Sequence, residues 1–351
     1  MHILIVRFSS MGDVVLQTAT VNWLRSLYGA SLRLSFVTSK EFVSLLERHP
    51  GINHVFSFDR RGGDKWSDLI KKIDGLEEEH PIDLIIDMHA TMRSFRLKMN
   101  FWTTPALTVD KRRWERFLLT KFKGAFFKRL ISEKVFGLEP QVERIINDFQ
   151  DMFHDHHGVR ATKDYVHGPH GEMTSLGLLE EYKIEGEYLV LAPSASFSPK
   201  RWPVKNFVEL AKKLLEISSY KIVILAGADD NFCEAFNGIS SDRLLNLQGK
   251  TSLKESMSIL SRAKICIGND SGMNHIAEAH GVSCLTLFGP TDPRFGFAPH
   301  GCSSRYLSKE LWCKPCSTTG SKPCFRDKLY CMEEITVSEV VKAYESMGVQ
   351  A

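Results

Sequence analysis

The stretch Lys264–Pro293, KICIGNDSGMNHIAEAHGVSCLTLFGPTDP, decides how the chain is read. An apolar run ends in Asn269-Asp270-Ser271-Gly272, and a helical pattern begins directly behind it. A strand that turns straight into a helix aims unsatisfied backbone N–H groups and the positive end of the helix dipole at the strand edge. Gly272 would let a ligand approach the backbone closely. Such a corner suits a phosphate or a ribose, although Asp270 or Ser271 serves equally well as a plain N-cap. His275, four residues past Ser271, shares its helical face and could reach the same ligand.

Outward from this stretch the same rhythm repeats. YLVLAPSAS is a strand, PVKNFVELAKKLLE a helix, KIVILAGA a strand and DDNFCEAFNGI a helix; LLNLQGK precedes the helix SLKESMSILSRA. Nearer the N-terminus, HILIVRF (His2–Phe8), LRLSFVTS, VFSFD and DLIIDMHA (Asp83–Ala90) read as strands, with the helical KEFVSLLERHPG among them. Near-continuous apolar strands alternating with helices predict parallel sheets covered on both faces. The expected class is therefore α/β, with two doubly wound Rossmann-like domains facing a central cleft. The expected division is an N-terminal domain over 1–165, a linker over 166–186, a second domain over 187–332 and a C-terminal helical segment over 333–351 that could pack back on the first domain. The histidine-rich tract around His154–His170 reads as solvated linker.

At 351 residues, two domains are the natural expectation, and 43% hydrophobic with 25% charged residues is ordinary for a soluble protein. No run approaches the ~20 apolar residues that span a bilayer. MHILIVRFSS lacks a basic leader and a cleavage site, so a cytoplasmic protein is expected, with thiols rather than disulfides. Charge is unevenly spread: Arg93 to Lys134 holds twelve Lys/Arg against three Asp/Glu, interleaved with aromatics. Arg93, Arg96, Lys98, Lys111-Arg112-Arg113 and the run Lys121–Arg129 with Phe122, Phe126 and Phe127 suggest an interfacial surface. No nucleic-acid-binding motif accompanies them.

Two further loops carry candidate chemistry. LAPSASFSPKRWP (Leu191–Pro203) brings Ser194, Ser196 and Ser198 to Lys200, hydroxyls and an ammonium that could neutralise a diphosphate. Neither GxxxxGKS nor GxGxxG occurs, which removes support for a P-loop NTPase or a standard dinucleotide dehydrogenase. In RFSSMGDVV, Asp13 follows Gly12 at a helix start, as a dipole-stabilising carboxylate or a general base. In CKPCSTTGSKPCFRDKLYC, Cys313 and Cys316 form a C-x2-C pair, followed by Cys324 and Cys331. Reduced structural thiols and a tetrahedral structural zinc are both compatible with that spacing.

RFSSMGDVVLQTATVNWLR, DLIIDMHATMRS, KRWPVKNFVELAKKL and GNDSGMNHIAEAHGVSCLTLFGPTDP resemble, in order and spacing, glycosyltransferase family 9, the ADP-heptose:lipopolysaccharide heptosyltransferases. The resemblance implies a GT-B fold and inverting transfer of a heptose from ADP-heptose to inner-core lipopolysaccharide (Kdo-lipid A or heptosyl-Kdo-lipid A) at the cytoplasmic face of the inner membrane. It implies Asp13 as catalytic base, Lys200 on the donor phosphates, and Ser194, Ser196, Asp229, Asp270, Ser271, Gly272 and His275 around the donor. Ser9, Ser10, Gly12, Arg93, Arg96 and Lys98 would face the acceptor.

A glycosidase needs two carboxyl groups because its leaving group must be protonated. A nucleotide diphosphate already leaves well, so one base and a cationic anchor suffice. No cofactor and no strictly required Mg²⁺ are expected. A nucleotide-sugar epimerase of the same two-domain plan and a non-catalytic nucleotide-sugar or lipopolysaccharide-binding protein are the alternatives.

Overall fold

A computed structural model describes residues 1–59, 61–122, 141–153, 176–301 and 303–348 of the chain. The histidine-rich tract, Lys123, Phe126, Phe127, Lys128 and Arg129 lie outside the described residues. The chain divides into two compact units.

In the first unit, strands β1 (His2–Val6), β2 (Arg33–Ser39), β3 (His54–Phe58), β4 (Leu84–Asp87) and β5 (Ala106–Thr108) form one parallel sheet in the order β3-β2-β1-β4-β5. All five residues of β1 are buried, which explains why its sequence is apolar without alternation. Ile3 pairs with Leu34 on one side and Leu84 on the other, so β1 is the central strand. Leu4, Val6 and Phe8 join Val37, Leu69, Ile73 and Leu97 in one apolar cluster. This cluster seats helices α3 (Trp66–Glu79) and α4 (Met92–Asn100) through Leu69, Ile73 and Leu97. Helices α1 (Met11–Leu16), α2 (Thr18–Tyr28) and α6 (Gln141–Phe153) complete the unit, with Trp23 of α2 meeting Phe149 of α6 edge-on at 5.4 Å. Helix α5 (Arg113–Lys121) groups with the second unit, contrary to the expected boundary. Arg116 is the reason: its Nη2 donates to the Phe295 carbonyl at 3.1 Å and its guanidinium lies over the Phe295 ring.

In the second unit, β6 (Tyr188–Ala192), β7 (Lys221–Ile224), β8 (Leu244–Asn246), β9 (Ile265–Asn269), β10 (Ser283–Phe288) and β11 (Arg305–Ser308) are parallel in the order β11-β10-β9-β6-β7-β8. Counted from its own first strand, this is the 3-2-1-4-5-6 order of a dinucleotide-type Rossmann sheet. Helices α7 (Leu176–Glu181), α8 (Val204–Ile217), α9 (Leu253–Leu260), α10 (Gly272–Ala279), α11 (Tyr330–Glu333) and α12 (Val337–Ser346) accompany it. Helix α7 falls inside the segment expected to be linker.

The structure corrects two further sequence expectations: KEFVSLLERHPG and DDNFCEAFNGI form 3-10 turns, Lys40–Leu45 and Asn231–Gly238, rather than α-helices. The C-terminal helix packs against α8. Ile335, Val340 and Tyr344 enter the same core as Leu189, Leu210 and Leu214, and Trp202 Nε1 donates to the Ile335 carbonyl at 2.8 Å. Ile335→Ala should therefore destabilise the second unit by about 3 kcal/mol. Urea unfolding followed by fluorescence measures this, and a loss under about 0.5 kcal/mol would show the segment to be peripheral.

Candidate active site

In a doubly wound sheet the crossovers leave the first strand in opposite directions, and ligands bind at the carboxyl end of that switch point. Here β1 and β4 flank the switch in one unit, β6 and β9 in the other. Asp13, Lys200 and Asp270 all follow one of those strands.

In the first unit, β1 runs into Ser10, which caps α1. Ser10 Oγ donates to Asp13 Oδ2 at 2.7 Å and the Ser10 amide donates to the same oxygen at 3.1 Å. Arg7 Nη2 meets Asp13 Oδ1 at 2.7 Å, while its Nη1 donates to the Met88 carbonyl at the end of β4. Burial pushes the Asp13 carboxyl up, but the Arg7 guanidinium and the Ser10 hydrogen bonds outweigh it and hold the group below the ordinary aspartate value. A carboxylate offers about four acceptor positions, and Arg7 and Ser10 fill three of them. One acceptor position, on Oδ1, has no partner among the described residues.

Asp87, at the end of β4, is the second buried acid of this unit. Its Oδ1 accepts the His89 and Ala90 amides at 3.0 and 2.8 Å, and its Oδ2 lies 2.9 Å from Lys98 Nζ. Lys98 also donates to Thr108 Oγ1 at 2.6 Å. Lys98, expected to face an acceptor, is thus committed to neutralising Asp87. His89 is buried edge-on to Phe8; burial, reinforced by Arg7, Lys111 and Arg93, lowers its pKa to about 4. It is neutral at physiological pH. Arg93 and Arg96 lie over Phe8 and Trp66, each at 5.1 Å. Arg93 and Ser9 border an open recess of about 910 Å³, together with Ser39, Lys40 and Arg61. Gly12 is buried within α1.

In the second unit, Lys200 Nζ sits 2.7 Å from Asp270 Oδ2, which also accepts Thr291 Oγ1 at 2.9 Å. Asp270 is 5% exposed, so its charge requires such partners. Asn269 joins the two loops: its Oδ1 accepts the Trp202 amide at 2.9 Å and its Nδ2 donates to the Pro193 carbonyl at 2.6 Å. Ser271 caps α10, Gly272 opens it, and the buried Ser271 hydroxyl has no partner among the described residues. Lys200 retains donors beyond the one used on Asp270. An ammonium, a partnerless hydroxyl and a helix start therefore stand together at this strand end. Gly320, with φ +80°, lies against the Lys200 stem; a Cβ there would come within 2.4 Å of Lys200 Cγ.

Other sequence-derived residues separate. Ser194 Oγ donates to Asp230 Oδ2 at 2.6 Å, and Arg201 pairs with Asp230 Oδ1 at 3.3 Å, so the acid tied to this loop is Asp230. Asp229 and Ser196 are exposed on their turns. His275 is buried, its ring 6.3 Å from that of Phe297. Cys313, Cys316, Cys324 and Cys331 border a narrow cavity of about 10 Å³. Among the described residues no group of three or more His, Cys, Asp or Glu is arranged to hold a metal ion. Cys324 Sγ donates to the Lys328 carbonyl at 3.4 Å, Cys316 Sγ approaches the Pro290 carbonyl at 3.8 Å, and burial raises the Cys331 thiol to about 12. The four cysteines thus gather around one cavity, with Cys316, Cys324 and Cys313 adding to the rise at Cys331.

The model of glycosyltransferase family 9 (heptosyltransferase) matches residues 126–324, more than half of the chain. The chain belongs to that family. As a member it is a glycosyltransferase. It is 26% identical over 329 residues to lipopolysaccharide heptosyltransferase 1 of Pseudomonas aeruginosa, covering 90% of this chain and 86% of that protein. To lipopolysaccharide heptosyltransferase 3 of Escherichia coli it is 23% identical over 300 residues, covering 81% of each chain. Among solved structures, E. coli ADP-heptose LPS heptosyltransferase II superposes with a TM-score of 0.68 at 19% identity, covering 99% of this chain and 98% of the other. E. coli WaaC, solved with ADP-2-deoxy-2-fluoro heptose, gives 0.67 at 18% identity, with 99% of each chain covered. These likenesses bear out the GT-B-like pair of Rossmann domains.

Arg7→Met should let burial dominate, raising the Asp13 carboxyl above its ordinary value of about 4. Because the wild-type carboxyl is depressed, the stability that Arg7 confers is fully present above about pH 4 and fades as pH falls through the Asp13 pKa. Carboxyl NMR titration and pH-dependent unfolding check both statements. An unmoved Asp13 titration would contradict them.

Proposed function

We propose that the chain is an inverting glycosyltransferase that moves a heptose from ADP-heptose to the inner core of lipopolysaccharide, with Kdo-lipid A or heptosyl-Kdo-lipid A as acceptor, at the cytoplasmic face of the inner membrane. The observation that carries the donor half is the Lys200 ammonium in the same strand-end cluster as the partnerless Ser271 hydroxyl at the start of α10. Family membership supports ADP-heptose as the donor, the nucleotide sugar related to the one bound in the WaaC structure.

Asp13 takes the proton of the acceptor hydroxyl through its remaining Oδ1 lone pair as that hydroxyl attacks the anomeric carbon. The glycosidic C–O bond forms as the bond from the anomeric carbon to the ADP oxygen breaks, and ADP departs with the bonding electrons. Lys200 and the α10 N-terminus stabilise the charge that builds on the diphosphate. The depressed pKa keeps Asp13 ionised but makes it a modest base, so its contribution comes from position as much as basicity. Among the donor-side expectations, Gly272 and His275 stay with this helix start, while Asp229 is exposed beside Asp230, which is tied to Ser194 and Arg201. In the recess bordered by Ser9, Lys40, Glu41, Asp59, Arg61 and Arg93, Lys40 pairs with Asp59, so Arg61 and Arg93 are the cations proposed to meet a carboxylate- and phosphate-rich acceptor. The reaction is expected to proceed without added Mg²⁺.

Incubation with ADP-heptose and a panel of truncated lipopolysaccharide cores, read by product mass, tests this. One core should gain a heptose. Asp13→Asn should lower kcat by about 10³-fold with donor affinity within a few-fold, and Lys200→Met should lower kcat by about 10²-fold and weaken ADP binding. Undiminished turnover in Asp13→Asn would remove its role as base. Epimerised donor without acceptor, or bound ADP-heptose without any product, would favour the two alternative readings.

A further inference from the structure

Helix α4 leaves four large apolar side chains in solvent: Met92 at 80% exposed, Phe95 at 52%, Met99 at 57% and, just past its end, Trp102 at 79%. At about 100° per residue, Met92, Phe95 and Met99 fall within an arc of about 60°. The opposite side of the helix holds the buried Ser94 and Leu97, which anchor it to the sheet. Contiguous exposed apolar side chains of this size are uncommon on a soluble protein and mark an interaction surface.

The charge around this stripe is of one sign. Thr91–Thr108 contains Arg93, Arg96 and Lys98 and no Asp or Glu. Lys98 is matched internally by Asp87, whereas Arg96 borders the stripe with its guanidinium stacked on Trp66 and its side chain exposed. We infer that the α4 stripe, Met92, Phe95, Met99 and Trp102 bordered by Arg96, is the surface by which the protein seats on an anionic phospholipid bilayer. Met and Phe enter the acyl boundary, Trp102 sits at headgroup depth, and Arg96 pairs with lipid phosphate. The choice of a bilayer rests partly on the lipid-linked acceptor proposed above.

A second copy of the chain fits less well. Two such faces would bring like charges together, and a nine-residue helix about 14 Å long cannot supply the ~800 Å² per partner of a stable interface.

The full chain is co-sedimented with phosphatidylcholine vesicles and with phosphatidylcholine–phosphatidylglycerol vesicles. The wild type should bind the anionic vesicles, and weaken as salt rises. The quadruple variant Met92→Gln/Phe95→Gln/Met99→Gln/Trp102→Gln should bind at least about tenfold more weakly, with the same melting temperature and the same transfer to a water-soluble acceptor. Met92→Leu/Met99→Leu should keep wild-type binding, and Arg96→Gln should lose about fivefold on anionic vesicles only. Equal sedimentation of the quadruple variant and the wild type overturns the assignment, as does a wild-type dimer that the variant abolishes without change in vesicle binding. Absence of heptose transfer by a wild type that still binds vesicles through this stripe would overturn the proposed reaction and leave the surface standing.

Discussion

Buried charge needs a partner, and the pairing of charges at the strand ends organises both units. Arg7 with Asp13, Lys98 with Asp87 and Lys200 with Asp270 each stand at 2.7 to 2.9 Å where a parallel strand gives way to its crossover. Such positions are wet enough to admit a ligand and buried enough that an unpaired ion would be costly. The three carboxylates differ in exposure: the Asp13 side chain is 17% exposed, that of Asp270 6% and that of Asp87 1%. Asp87, which takes Lys98 and two amides, holds the β4 turn.

One repeated architecture thus carries strand-end carboxylates of differing exposure. In both units the sheet ends in the same topological opening, and the sequence decides what is placed there. The second unit closes its opening around a helix start, a partnerless serine hydroxyl and an ammonium, with Gly320 fitted against the lysine stem. The first unit holds the Asp13 carboxylate ionised through Arg7, and the same arginine helps keep His89 neutral.

The parallel sheets were readable because β1, β6 and β9 are buried on both faces and leave continuous apolar runs in the sequence. The strand-to-helix corners at Asp13 and Asp270 were readable because each breaks such a run with polar and small residues. Arg7, His89 and Thr291 were not, since each acts through a neighbour on a different strand and resembles an ordinary strand-end residue in linear order. Lys98 was misread for the same reason: a count of basic residues is blind to Asp87 one strand away. The cysteine spacing suggested a group of four thiols, and the four do border one cavity. Packing of α12 on α8 depends on which apolar surface is nearest in space, which hydrophobic pattern alone does not specify.

The proposed reaction, with Asp13 as base and no second acid required, is a single displacement without a covalent glycosyl intermediate. The anomeric configuration of the product, read by NMR coupling constants against that of the ADP-heptose donor, tests this most directly. Inversion in every turnover is the predicted result. Net retention would contradict the single-displacement role assigned to Asp13.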